Sequence, residues 1–258
     1  MQLNDITVSR TIVNTFFEKL LDSLECDVAI VGGGPAGIVA SYYLAKAGRK
    51  VSIFDRKLAP GGGMWGGAMM FNEIVVQEEA KGILDEFGVV SKAAADPGYY
   101  TADSVHTVCT LISKATAAGA RLFNCMSAAD VRIQNGAVTG LVIQWTPVEL
   151  AGLHVDPLTI GAKFVIDGTG HDSEVAAVIQ RKSGCALLTE TGRIVGEKPM
   201  DAATGEPLTV ENTREVFPNV YVTGMACNAV FGAPRMGPIF GGMLMSGKKV
   251  AGLINARL

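Results

Sequence analysis

The chain is poor in the residues that would tie it to a scaffold or a charged surface. Five cysteines (Cys26, Cys109, Cys125, Cys185, Cys227) are scattered through 258 residues with no CxxC pair. That excludes a disulfide framework and a cysteine zinc site, and a reducing compartment is expected. Charged residues make up 18%, below the roughly 25% usual for soluble domains. A net charge of −3 leaves no basic excess for nucleic acid or an anionic membrane surface. The most apolar window, 28–40, is interrupted by Gly32-Gly33-Gly34-Pro35 and is too short to span a bilayer. The first ten residues, MQLNDITVSR, hold no basic segment leading into an apolar one, so no signal peptide is expected. These absences predict a soluble, cytoplasmic protein with neither nucleic acid nor membrane as partner.

What is abundant is glycine and apolar surface. Apolar residues reach 48%, enough for a sizeable core, and 31 residues are glycine, well above the usual ~7%. No Gly-X-Y period or low-complexity tract accounts for them, so they must serve turns and close backbone approaches. Apolar spacing predicts an amphipathic helix over 9–24, with Ser9 as its cap, packed on the body or on a second subunit. A short apolar strand at 26–31, a helix over 36–47 and a strand at 50–54 form a βαβ unit, which requires parallel strands. Residues 60–67 (PGGGMWGG) read as a loop, and 78–87 and 104–118 as helices. Alternation over 121–145 around Asn135-Gly136 marks a hairpin. Strands follow at 163–167 and 218–224, then a glycine-rich loop and a helix over 242–256. The expectation is one α/β domain over 1–258: a parallel sheet with helices on its faces, an antiparallel β layer and an N-terminal helix.

Gly32-x-Gly34-x-x-Gly37 follows the first strand and opens a helix. Gly32 permits the tight turn, Gly34 lets backbone approach a pyrophosphate, and Gly37 lets helix and strand pack closely. Phosphates would sit on the free N–H groups of the helix start. Asp55 closes the second strand, where an acid takes ribose hydroxyls. Structural turn glycines are the plain alternative, but strand, glycines, helix, strand and acid together point to a dinucleotide. The frame is similar to the FAD/NAD-binding, glutathione-reductase type, with VIDGTG at 165–170 and PNVYVTGMA at 218–226. In flavoenzymes of that type an aspartate follows the last glycine; here Met225 stands there. An FAD-dependent oxidoreductase of the same fold is therefore the alternative reading.

Three histidines are present. His106, inside a predicted helix, reads as structural or surface. His154 and Asp156 stand in Leu-His-Val-Asp-Pro, and His171 in Gly-Thr-Gly-His-Asp. By spacing alone these could be a loop histidine, a turn aspartate and a helix-cap pair, or donors to a metal. Arg235, in a glycine-rich loop, offers a planar fork suited to a small carboxylate, or forms a surface ion pair.

Taken together, PGGGMWGGAMMFN at 60–72, His154-Val155-Asp156-Pro157, Gly168 to Asp172 and GAPRMGPIFGGM at 232–243 resemble the thiamine thiazole synthase family, in its archaeal, sulfide-using branch. The resemblance covers nearly the whole chain. It implies a transferase that consumes NAD as a substrate, together with glycine and sulfide, to make the ADP-linked thiazole precursor of thiamin. Nicotinamide leaves, the ADP-ribose moiety rearranges to a ketone, the glycine amine condenses with it, sulfur is added, and dehydrations close the ring. Nucleotide contacts are implied at Gly32, Gly34, Ala36, Gly37, Asp55, Arg56, Gly63, Ala128 and Met225. Glycine is implied at Arg235, Fe(2+) at Asp156 and His171, and catalytic roles at His154, Asp156 and His171. The resemblance also implies a ring-like homo-octamer whose metal site is shared between adjacent subunits. Fungal and plant relatives carry at position 154 a cysteine that gives up its own sulfur; His154 has none to give. An external sulfide donor and repeated turnover are therefore expected.

Overall fold

The first helix, α1 (Asp5–Asp22), starts earlier than its apolar spacing suggests. Asn4 Oδ1 accepts the Thr7 N–H at 3.0 Å, and Asp5 lies in the first turn. A capping side chain beside an acidic first turn starts a helix well before its apolar stripe, so Asn4, not Ser9, is the cap. The helix is only lightly seated. Leu20 is buried and Phe16 meets Phe123 edge-on at 6.2 Å, while Ile12, Val13, Phe17 and Leu21 stay exposed. In this computed structural model the described residues run from Leu3 to Leu258; Met1 and Gln2, at the head of the segment read for a signal peptide, lie outside them.

The βαβ unit forms as read: β1 (Glu25–Val31), α2 (Pro35–Lys46) and β2 (Val51–Asp55), with β1 and β2 parallel. A 3₁₀ turn (Gly62–Gly66) occupies part of the segment expected to be loop. Its indole, Trp65 Nε1–H, donates to Pro60 O at 2.9 Å. Next come β3 (Glu73–Gln77), α3 (Glu78–Phe87), β4 (Lys92–Ala93), β5 (Tyr99–Asp103) and α4 (Ser104–Ala117). The strands β3, β5 and β4 make a small antiparallel sheet that the sequence reading missed. Each is short, and together they show little alternation.

The alternating stretch divides into β6 (Arg121–Asn124), β7 (Met126–Gln134) and β8 (Ala137–Trp145). β6 runs parallel to β2, Cys125 breaks the chain direction at φ 56°, and β7 and β8 form the expected hairpin. Its corner, Asn135 (φ 52°) and Gly136 (φ 77°), has the two positive φ values of a type I′ turn. After α5 (Thr146–Leu150), β9 (Leu158–Asp167) pairs antiparallel with β8 through its first half and parallel with β1 through its second. The strand expected at 163–167 is the buried end of this longer one.

The remaining elements are α6 (Glu174–Lys182), α7 (Ala202–Glu211), β10 (Glu215–Phe217), β11 (Val220–Val222), α8 (Met225–Phe231) and α9 (Gly241–Asn255). The strand read over 218–224 begins with a turn at Pro218 and Asn219, and α8 occupies part of the stretch read as loop. α5, α6, α7 and α8 were all missed; three are under ten residues, and α7 carries an internal Pro207. The main sheet runs β10-β11-β9-β1-β2-β6. One apolar cluster lies between the sheet and α2, α3, α4 and α9, and a second on the other face gathers β7, β8, α6 and α8. Both faces of the parallel strands are covered, as parallel sheets require. No helix among the described residues is long and apolar enough to cross a membrane.

Candidate active site

The C-terminal ends of β1, β2, β9 and β11 meet at one edge of the main sheet, and a cavity of about 780 Å³ opens there. Ligands of open α/β sheets bind at this end, and the volume lies within the usual range for small-molecule sites. The glycine turn forms its floor. The Gly32 N–H donates to Phe54 O, and Gly32 has φ +94°; a β-carbon there would lie 2.4 Å from Gly168 O. Only glycine fits. At Gly34 the backbone is extended, and a β-carbon would meet nothing nearer than Gly168 O at 4.0 Å. That open space beside the first turn of α2, whose leading N–H groups have no partner within the helix, fits the close approach of a phosphate. Gly37 lines no part of the cavity. Its hydrogen lies over Gly32 O, where a β-carbon would come within 2.2 Å. Gly37 therefore packs helix on strand.

Asp55 is buried, and both its oxygens already accept backbone N–H groups, Gly33 at 2.7 Å and Lys57 at 2.7 Å. It clamps the glycine turn to the end of β2, and each oxygen keeps a second lone pair. Arg56 pairs with Glu174 at the start of α6 and, at 3.6 Å, with Asp172 on the 3₁₀ turn before it. Burial pushes the Glu174 carboxyl up and the Arg56 guanidinium pulls it back. Lys57, Gly63, Ala36, Ala128 and Met225 also line the cavity. Met225 opens α8 directly after Gly224, whose N–H donates to Ser246 Oγ at 2.8 Å.

Beneath the Gly168–Asp172 segment lies Asp167, fully buried. Its Oδ1 accepts the Thr169 N–H and hydroxyl, and its Oδ2 the Ala176 N–H. Burial drives its carboxyl up from the ordinary range, and these donors oppose the shift. The carboxylate thus ties the loop carrying His171 to the start of α6. His171 stands on a one-turn 3₁₀ segment at the cavity wall, partly exposed, with Nδ1 2.7 Å from Glu197 Oε1. Arg235 also lines the cavity, its backbone clipped on both sides: its N–H donates to Lys198 O, and its carbonyl accepts from the Asp201 N–H. No carboxylate of the described residues pairs with its guanidinium. The surface ion pair considered from sequence is absent among those residues.

His154 and Asp156 lie elsewhere. Both are exposed on the segment between α5 and β9, outside the cavity, where Gln144 Nε2–H donates to Val155 O at 2.7 Å. His106 is exposed on α4, as expected. Among the described residues no group of three His, Cys, Asp or Glu side chains could hold a metal. The sequence reading missed Glu197, Glu174 and Lys57. Glu174 could have been found as an acid in a helix's first turn, and Lys57 as a cation beside Asp55; Glu197 lies in an irregular segment with no local signal.

The arrangement provides an anion-compatible backbone turn, two cations beside it, an imidazole and a free guanidinium around one enclosed space. Known proteins resemble the chain along its whole length. Thiamine thiazole synthase of Methanothermobacter thermautotrophicus is 59% identical over 258 residues, covering all of both chains. That of Pyrococcus abyssi is 55% identical over 249 residues, covering 96% of each. The crystal structure of Thermovibrio ammonificans THI4 superposes with a TM-score of 0.97 at 57% identity, covering 99% of each chain. The profile of the Thi4 family matches residues 9–240, and with relatives this similar over their full length the chain belongs to that family.

Proposed function

We propose that the protein is a thiamine thiazole synthase that makes an ADP-linked thiazole from NAD, glycine and external sulfide, with iron(II) as its metal and over many turnovers. The observation that carries this reading is the single cavity uniting the glycine turn, His171 and the unpaired Arg235, in a chain whose full-length relatives bear that activity's name. In this reading the Gly32–Ala36 turn binds the pyrophosphate through backbone N–H groups. Asp55 takes the ribose hydroxyls on its remaining lone pairs, and Arg56 and Lys57 balance the phosphate charge. Arg235 grips the glycine carboxylate with its fork. Met126, Met225, Met236 and Met243 line the same space and limit the water that reaches the ketone and its glycine adduct.

Asp156 and His171 are one carboxylate and one imidazole, a donor set that suits iron(II). One chain does not bring them together, so the fit requires Asp156 from a second copy. The exposed Leu150, Leu153, Val155 and Leu158 around that aspartate form apolar surface of the kind a neighbour covers, which supports association between copies, in our reading as a homo-octameric ring with shared sites. When bound, iron(II) would supply open coordination positions where sulfide and the glycine-derived substrate can be brought together. His154 carries no sulfur. Of the other candidate sulfur donors, Cys185 is exposed and Cys227 fully buried with its thiol pushed up to about 12 by burial, and neither lines the cavity.

The test is anaerobic incubation with NAD, glycine, sulfide and iron(II), followed by mass spectrometry of nucleotides and of intact protein. More than one ADP-thiazole per chain with unchanged protein mass is expected. Loss of one hydrogen sulfide per chain with a single product would overturn the external-sulfide reading. A yellow protein with bound flavin and no thiazole would favour the FAD-dependent oxidoreductase.

A further inference from the structure

Glu197 lies in a stretch without regular secondary structure, yet its place is fixed from both sides. The Val195 and Gly196 N–H groups donate to Val230 O and Ala229 O, each at 3.0 Å, and the Lys198 N–H donates to Ala233 O at 3.1 Å. Val195 is pressed on Gly232, where a β-carbon would lie 2.5 Å from its Cγ1. The strap is thus laced to α8 and the turn after it. From this strap the largely buried Glu197 carboxylate meets His171 Nδ1 at 2.7 Å. The next residue, Lys198, accepts the Arg235 N–H at 3.1 Å.

We infer that Glu197 is the positioning residue of the site: it holds His171 in the form protonated at Nδ1 and leaves Nε2 as the ring's single donor atom. A carboxylate can only accept, so the proton in this contact belongs to the imidazole. Which nitrogen of a histidine is free is set by the hydrogen bond at the other. Because the strap also accepts the Arg235 N–H, the same segment that fixes His171 anchors the backbone of Arg235. The inference gives His171 its orientation within the function proposed above, but the proton's position can be read without that function.

The experiment is nitrogen-15 spectroscopy of the histidine side chains in the metal-free, full-length protein at mildly alkaline pH, with His171→Asn to assign the signal. The wild type is expected to show His171 protonated at Nδ1 alone. Glu197→Gln, which keeps an acceptor oxygen, should preserve that state, and Glu197→Leu should lose it. Iron(II) titration without substrates should then show about a 10- to 100-fold weaker affinity in the leucine variant, with NAD affinity unchanged. A wild-type His171 protonated at Nε2 or at both nitrogens overturns the inference, as does a leucine variant with the wild-type spectrum. If the leucine variant does not fold, the wild-type spectrum alone decides. Absence of iron binding in the wild type would count against the proposed function and leave the proton's position to stand or fall by the spectra.

Discussion

A single β-carbon added at Gly34 or at Gly37 should separate binding from folding. At Gly34 the backbone sits at φ −75° and ψ 177°, a conformation any residue adopts, and the new carbon has 4.0 Å to its nearest neighbour. Gly34→Ala should therefore change stability by no more than about 0.5 kcal/mol, which for a chain of this size is a melting shift of under ~2 °C. The same carbon would add bulk to a residue that lines the cavity at the start of α2, beside its leading N–H groups. A phosphate held off those groups loses charge-assisted hydrogen bonds worth about 1.5–3 kcal/mol, roughly a 10- to 150-fold weaker affinity. Gly37→Ala inverts the pattern. Its β-carbon would lie 2.2 Å from Gly32 O, with Ile30 Cγ2 at 3.3 Å behind it. A backbone oxygen in a bonded turn cannot swing aside, so overpacking of about 1–3 kcal/mol is expected, or ~2–12 °C in melting temperature.

Calorimetric titration with NAD and with ADP-ribose, beside thermal melts of both variants, reads the two effects independently. Unchanged affinity in Gly34→Ala would refute the placement of the pyrophosphate on this turn. A Gly34→Ala protein that melts as early as Gly37→Ala would refute the steric reasoning itself.

Other perturbations reach the rest of the site. Arg235→Lys keeps the charge but loses the planar fork, so the KM for glycine should rise at least about tenfold with NAD affinity unchanged; steady-state kinetics in each substrate checks this. Asp156→Ala and His171→Ala should each abolish iron-dependent thiazole formation while nicotinamide release continues. If the site is shared between copies, mixed oligomers of the two variants regain activity, and failure of any mixture to do so counts against sharing. Alkylation of the native protein near neutral pH should label the exposed Cys109 and Cys185 and spare the buried Cys26 and Cys227, whose thiols burial pushes up to about 11 and about 12. Mass spectrometry of the labelled peptides reads it, and rapid labelling of Cys227 would mean that its surroundings open.

The parts legible in the sequence were those whose physics is local. The βαβ unit follows from apolar runs, a glycine turn and a terminal acid within one short segment, and the β7–β8 hairpin from Asn135-Gly136. Illegible were elements defined only by distant partners. β3 and β5 are strands because they pair with one another across α3, and α8 is a helix in a stretch whose composition reads as loop. The role of Asp55 was half legible: its place at the strand end could be read, and its local donor Lys57 lies two residues on, but the Gly33 N–H comes from a turn 22 positions away. Glu197 had no signal at all, since its importance comes from His171, which it meets across 26 positions of sequence.

The same division between local and distant separates two halves of the proposed chemistry. The groups proposed to seat the dinucleotide and the small carboxylate come from one chain: Gly32, Gly34, Pro35, Ala36, Asp55, Arg56, Lys57 and Arg235 border one cavity. Glu197 and Lys198 connect His171 to Arg235 through a strap three backbone hydrogen bonds hold in place. Asp156 is the exception, carried on an exposed segment that no element of its own chain covers, among apolar residues that water solvates poorly. In the proposed function, association that buries Leu153 and Val155 would also deliver Asp156 to another copy, and the sulfur-adding half of the reaction would then depend on assembly while the nucleotide half would not.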